Sequence, residues 1–433
     1  MENIWLKAAA MKDKMIATRR DLHKHPESAW IEFRTASIVA ERLTKLGYEV
    51  LCGADVIDEA TMMGVPTTEV LMQAQQRALS EGADPAWVDK MNGGKTGVVG
   101  IMHFAKPGKV VALRFDMDSN EVAETTEAEH QPCKEGFRSL HDGLMHACGH
   151  DGHVTVGLAV AELIAAHQDE MSGTIKLIFQ PGEEGVRGAK AMVATGVVDD
   201  VDYFLSGHIG FNANRDGMFA CMTGGFLATT KLDAYFTGQS SHAGAAPQEG
   251  RNALLAAAAA SIALHSISRH GKGASRINVG VLEAGTGRNI LPDRAVVKLE
   301  TRGADTEINE FMMSEAKRMI KATADLYNVE VKMEEVGGAP SCALDEVMGQ
   351  EIFELVKSSK QFSEVVPQVH LGASEDCSYF MQRVQEKGGQ AVYMMYGSAL
   401  KAGHHNSSFD FNEDCLPKSA AMLTILAKHF GEK

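Results

Sequence analysis

Four short apolar runs, each leading into residues able to hold a proton or a metal ion, constrain this chain more than any other feature. "GKVVALRF" (108–115) leads into Asp116 and Asp118, and "GTIKLIF" (173–179) leads into Glu183 and Glu184. "DYFLSG" (202–207) leads into His208, and "AVYMMYG" (391–397) leads into His404 and His405. Continuous apolar runs of this length read as strands buried on both faces. Helical patterns separate the first three, notably "GHVTVGLAVAELIAAHQ" (152–168) and "GAKAMVATG" (188–196). That alternation predicts an α/β domain, a largely parallel sheet with helices on both faces. Ligands of such sheets bind beyond the carboxyl ends of the strands, so the four ends predict one shared crevice.

The middle of the chain follows another pattern. A strand at 229–238, an alanine-rich helix at about 251–268, strands at 276–285 and 294–303, a helix at about 306–327 and a strand at 329–337 follow in order. The succession βαββαβ is that of a ferredoxin-like α+β unit. It begins and ends inside the α/β pattern, so it is read as a domain at 226–337 inserted into a discontinuous catalytic domain, 1–225 and 338–433. A length of 433 residues is itself more than one core usually serves. Residues 53–96 fit neither pattern and hold one helix, roughly 67–80, rich in Met, Gln and Ala. This insertion reads equally as surface decoration and as a wall of the substrate site or a contact between chains.

A formal charge of −15 argues against nucleic acid as a partner, since phosphate binding needs a basic surface. An anionic substrate would need local positive charge against that background. No apolar stretch reaches the length of a membrane span, and the N-terminal region lacks the apolar core of a signal peptide. Seven irregularly spaced cysteines form no disulfide framework, and the expected compartment is the reducing cytoplasm.

"HACGHDGH" (146–153) supplies a thiol and imidazoles within one loop. Cys148 and His150 are close enough to reach one metal, and thiolate, imidazole and carboxylate together suit zinc while admitting manganese or cobalt. A redox reading wants a second nearby cysteine, and none is present. The bland alternative is a polar loop capping a helix. Glu183 and Glu184 would be mere surface charge on a solvated turn. After a buried strand and beside a metal they divide the work of hydrolysis, one binding the cation and the other moving a proton. "GGKTG" (93–97) lacks the spacing of a phosphate loop. In "RRDLHKHPE" (19–27), His23 and His25 read as residues that cap and pack a helix end, and His146 and His153 as hydrogen-bonding neighbours of the ligands.

"MHACGHDGH", "QPGEEG", "HIG", "SSHAGAAPQEGRNA" and "GHHNSSFDFNED", in this order, resemble the successive motifs of the aminoacylase/carboxypeptidase metallopeptidases. They are most similar to the amidohydrolase branch that contains hippurate hydrolases and hydrolases of indole-acetyl amino acids. Within it, the 53–96 insertion, "LIFQPGEEGVRGAKAMVATGVVDDVDYF" and "GASRINVGVLEAGTGRNILP" resemble the A-type chains of p-aminobenzoyl-glutamate hydrolases. The resemblance implies two divalent ions, Mn2+ or Zn2+, held by Cys148, His150, Glu184, His208 and His405, with His404 the alternative to His405. It implies Glu183 as general base and acid, and Asp118 as the carboxylate that fixes the tautomer of a ligating histidine. The expected substrate is a small anionic N-acyl amino acid, met by His242 and Asn289 of the inserted domain. Arg302, a structural residue on its own evidence, suits a substrate carboxylate. The inserted domain would pair two chains, as a homodimer or with a related B-type chain.

Overall fold

In the computed structural model, which describes residues 2–433, the apolar runs form the centre of one sheet. The strands, in chain order, are β1 (Glu49–Cys52), β2 (Val98–His103), β3 (Lys106–Asp116), β4 (Ser172–Gln180), β5 (Tyr203–Ile209), β6 (Met218–Ala220), β7 (Thr223–Gly224), β8 (Ala228–Thr237), β9 (Ser275–Ala284), β10 (Arg294–Gly303), β11 (Glu330–Ala339), β12 (Glu364–Val366), β13 (Val369–His370) and β14 (Gln390–Tyr396). Two units emerge. The first takes the chain up to Gly224 with Ala343–Leu371 and Asp376–Lys433, and the second takes Gly225–Cys342 with Gly372–Glu375.

The first unit holds an eight-stranded sheet of order β1-β2-β4-β3-β5-β14-β6-β12. Its middle, β4-β3-β5-β14, is parallel throughout, and these are the four apolar runs. Antiparallel pairing enters toward the edges, at β1–β2, β2–β4 and β14–β6. Both faces are covered, which is why the central runs do not alternate with polar residues. The helix His150–Ala166 lies so close to β3 and β4 that a Cβ on Gly157 would stand 2.7 Å from the rings of Phe115 and Phe179. On the opposite face, Phe204 of β5 stacks on Phe380 of the helix Ser378–Glu386 at 5.7 Å. Burying each such phenylalanine stabilises the sheet by roughly 1.5–3 kcal/mol.

The 53–96 insertion belongs to this unit's packing. Beyond the expected helix, Thr68–Ser80, it has a short one at Pro85–Val88, and Leu71, Ala74, Ala78, Val88 and Met91 are buried. Trp30 Nε1 donates to Met63 O at 2.8 Å, and Arg34 Nε to Glu81 O at 3.1 Å. The segment is therefore core-packed and more than decoration.

The second unit is a four-stranded antiparallel sheet of order β11-β8-β10-β9. Helices Ala253–His265 and Thr306–Leu326, capped by Asn252 and Asp305, share its core. That core joins Leu232, Ala234 and Phe236 of β8 and Val297 and Leu299 of β10 to Ala256, Ala260, Met312 and Ile320. The chain order of its elements is βαββαβ. No helix among the described residues is long and apolar enough to cross a membrane.

Candidate active site

The carboxyl ends of the parallel strands converge as the sheet topology requires. Asp116 closes β3, Glu183 and Glu184 follow β4, His208 lies near the end of β5, and His404 and His405 follow β14. The loop 146–149 leads into the helix His150–Ala166, and Gly149 turns it with φ 89°, a left-handed value that suits glycine. Cys148 Sγ then stands 3.4 Å from His208 Nε2 and 3.7 Å from His404 Nδ1. Glu184 Oε1 is 3.3 Å from His405 Nε2, and His150 Nε2 is 3.9 Å from Glu183 Oε2.

Hydrogen bonds determine which nitrogen of each imidazole is open. His150 Nδ1 donates to Asp118 O at 2.8 Å, and His208 Nδ1 donates to Ile209 O at 2.7 Å. His208 therefore keeps a lone pair on Nε2, and His150 Nε2, buried without a partner, is the nitrogen that opens to a cation once its proton leaves. His153 and His404 are arranged the other way. His153 Nε2 accepts from Ile209 N–H at 2.9 Å while its Nδ1 faces Asp116 Oδ1 at 2.5 Å, and His404 Nε2 accepts from Phe211 N–H at 3.0 Å. In the neutral ring their protons sit on Nδ1, so neither has a lone pair left over. Burial, reinforced by neighbouring imidazoles, lowers His208 well below its ordinary range and His404 to about 3, keeping both neutral.

The acidic side is arranged with equal definition. Asp118 accepts from Glu183 N–H at 2.9 Å through Oδ1 and from Glu184 N–H at 2.8 Å through Oδ2. This adds to its expected role. The nearer partner of His150 is Asp118's main-chain carbonyl, with the carboxylate at 3.5 Å, and the carboxylate's hydrogen bonds hold the glutamate turn. Glu32 Oε1 accepts from Gly182 N–H at 2.8 Å and steadies the same turn. Burial alone would raise Glu184, but His405 and His150 outweigh it and bring it to about 2. Burial alone would lower His150, but Asp116, Asp118 and Glu184 raise it to about 10. The crevice is thus a strongly cation-attracting place.

These residues fit a metal centre. Cys148, Glu184 and His405 bring ligand atoms within 4.8 Å of one another, as do His150, Glu183 and Glu184, and as do Cys148, His208 and His404. Neighbouring groups share Cys148 or Glu184, a layout suited to two adjacent ions. His150 Nε2 is buried with no hydrogen-bond partner, and the buried Glu184 Oε1 faces His405 Nε2 at 3.3 Å. Thiolate, neutral imidazole and carboxylate form a coherent donor set for a borderline divalent ion. His405 holds φ 64° with its N–H on Ala147 O at 2.8 Å, so the loop is pinned in a left-handed turn there. Non-glycine residues in that region are uncommon and cluster at functional sites.

His242 and Asn289 lie in the second unit, brought side by side by main-chain pairing: Ala243 N–H donates to Asn289 O at 3.0 Å, and His242 bridges Ile290. Exposed His242 accepts from Gly244 and Ala245 N–H, both at 3.1 Å, through Nδ1. Arg302 is elsewhere on that sheet and already grips a carboxylate, Glu300 of its own strand, at 3.0 and 3.2 Å.

Two further readings need correction. His23 does not cap a helix end. It is fully buried, with Nδ1 2.7 Å from Asp151 and Nε2 3.1 Å from Glu124. His25 does serve the helix end, with Nδ1 2.9 Å from Asp21 O. His146 was expected to hydrogen-bond beside the ligands, yet both its ring nitrogens are buried without partners, and burial lowers it to about 3. Sequence reasoning also missed Arg19, whose signal was the density of charge in "RRDLHKHPE", and Asp151, which lies within "HACGHDGH" itself.

Similarity to known proteins agrees with this geometry. The chain is 46% identical over 418 residues to indole-3-acetyl-aspartic acid hydrolase of Enterobacter agglomerans, covering 96% of each. It is 43% identical over 431 residues to the A-type chain of p-aminobenzoyl-glutamate hydrolase from Escherichia coli strain K12, covering 99% of each. A crystal structure of an aminobenzoyl-glutamate utilization protein from Klebsiella pneumoniae superposes with a TM-score of 0.84 at 38% identity, covering 98% of this chain and 97% of that one. The model of peptidase family M20/M25/M40 matches residues 112–429. The chain belongs to that family and, with it, is a metal-dependent amidohydrolase.

Proposed function

We propose that this chain hydrolyses the amide of p-aminobenzoyl-glutamate, releasing p-aminobenzoate and glutamate. The observation that carries the chemistry is the gathering of Cys148, His150, Glu184, His208 and His405 in overlapping groups at the strand ends, with Glu183 beside His150 and Glu184. The near-full-length likeness to the hydrolase chain of Escherichia coli supports the substrate.

Cys148, His150, Glu184, His208 and His405 would hold two divalent ions, Mn2+ or Zn2+. His405 is preferred over His404 because His404 Nε2 is taken by Phe211 N–H. When bound, the ions supply Lewis acidity at the scissile carbonyl and positive charge for the attacking water. Glu183 takes a proton from that water as its oxygen bonds to the carbonyl carbon. It then returns the proton to the amide nitrogen as the carbon–nitrogen bond breaks. Asp118 holds Glu183 and Glu184 in place through their amides, and His242 and Asn289 are the proposed donors to the oxyanion and the substrate.

A second reading, hydrolysis of indole-3-acetyl-aspartate, is favoured by the 46% identical relative. Both readings share an aromatic acyl group on an acidic amino acid. The assembly proposed is a pair of chains joined through the second unit, either identical or with a related B-type chain, in the cytoplasm. The test is turnover of p-aminobenzoyl-glutamate, indole-3-acetyl-aspartate and hippurate by the purified chain loaded with Mn2+ or Zn2+. Preference for the first, abolished by chelator, supports the proposal; preference for either of the others overturns it. Activity that appears only with a second related chain assigns this one to a heteromer.

A further inference from the structure

The substrate proposed above is an anion, and an acidic chain must supply its own cation to hold it. We infer that Arg187 binds the side-chain carboxylate of the substrate's acidic amino acid; this rests on the substrate reading. Arg187 follows Glu183 by four residues on the same turn, its N–H donating to Gly182 O at 3.0 Å. Its side chain folds back over that turn: a Cβ on Gly185 would stand 2.6 Å from Arg187 Nε, and Gly185 itself holds φ 87°. Glycine there admits the guanidinium and the left-handed backbone together.

On its other side, Nη1 donates to Gly64 O of the 53–96 insertion at 3.3 Å. Little else holds the group. Among the described residues it forms no ion pair, and its Nε is buried with no hydrogen-bond partner. Of the other basic residues of this region, Lys95 is paired with Glu59, Arg34 with Asp21, and Arg114 with Asp116 and Asp376, while Arg77, whose Nε and Nη2 are likewise buried without partners, sits in the last turn of the helix Thr68–Ser80 rather than on the glutamate turn. A half-buried guanidinium with open donors is unfavourable unless an acceptor arrives, and its planar fork matches a carboxylate bidentately. The insertion thereby acquires a purpose, as the wall that holds Arg187 over the glutamate turn.

The experiment compares kcat/KM for p-aminobenzoyl-glutamate and its neutral isostere p-aminobenzoyl-glutamine on metal-loaded wild type, R187M and R187K. Wild type should prefer the glutamate form. R187M should lose roughly 10- to 100-fold on that form, mostly in KM, and stay within about 3-fold on the glutamine form. R187K, which keeps the charge but loses the fork, should fall between them, and it decides the matter if R187M does not fold. Equal losses on both substrates, or none on either, overturn the inference while leaving the substrate reading intact. A wild-type chain that does not turn over p-aminobenzoyl-glutamate, either alone or with a related B-type chain, overturns the substrate reading, and the inference with it.

Discussion

Which nitrogen of each imidazole carries the proton decides what the crevice can hold. His150 and His208 give their Nδ1 protons to main-chain carbonyls, whereas His404 has its Nε2 taken by an amide. His405→Ala should therefore lose one bound ion per chain, and His404→Ala should keep wild-type stoichiometry; metal analysis after gel filtration measures both. The reverse pattern would reassign the ligand. Glu183 has a different task. Glu183→Gln should lower kcat by about 10²- to 10⁴-fold with metal content unchanged, because the amide cannot shuttle the proton. Substantial residual turnover would remove Glu183 from that role.

One buried guanidinium joins elements far apart in the chain. Arg19, on the helix Lys12–Lys24, donates to Asp151 at 2.9 Å, to Asp410 at 2.8 Å and to Glu413 at 3.3 Å. Asp151 is adjacent to His150 and Asp410 follows His405 by five residues, so Arg19 ties together the segments that carry two proposed ligands. Arg19→Met leaves buried carboxylates without their cation and should cost about 3–5 kcal/mol, read by denaturant unfolding. His23 adds a pH dependence. Burial and the Arg19 charge push it down, but Asp151 and Glu124 outweigh them and leave its pKa above the ordinary 6.5. A raised native pKa gives stability that is full below the unfolded value and is lost as pH rises through the native one. His23→Gln should remove that decline above about pH 6.5. Parallel pH–stability curves for the two proteins would show that His23 does not titrate in this window.

At the scale of the molecule, all five proposed ligands lie in the first unit. Metal binding should accordingly stabilise that unit in a concentration-dependent way, by about 2.7 kcal/mol at a free ion concentration 100 times Kd. Calorimetry with Mn2+ and with chelator measures this. A melting profile insensitive to both would count against any resident ion. The second unit has its own core of Leu232, Phe236, Val297, Leu299, Met312 and Ile320, and no proposed ligand.

The strands, their succession and the residues at their ends were legible because each depends on neighbours in the chain. Apolar runs without alternation mark two-sided burial, and a strand end followed by Glu183–Glu184 marks the crevice. Short edge strands such as β1 and β12 escaped notice because a few residues carry too little periodicity. Arg19 and His23 escaped because their partners lie from about 100 to nearly 400 residues away. The sequence by itself therefore determined the chemical inventory of the site and the order in which the chain presents it. Only the tertiary structure decided which atoms are open to a ligand. Whether Asp118's carboxylate faces an imidazole or a pair of amides, and whether a histidine keeps its Nε2 lone pair, is settled by hydrogen-bond partners that folding brings together.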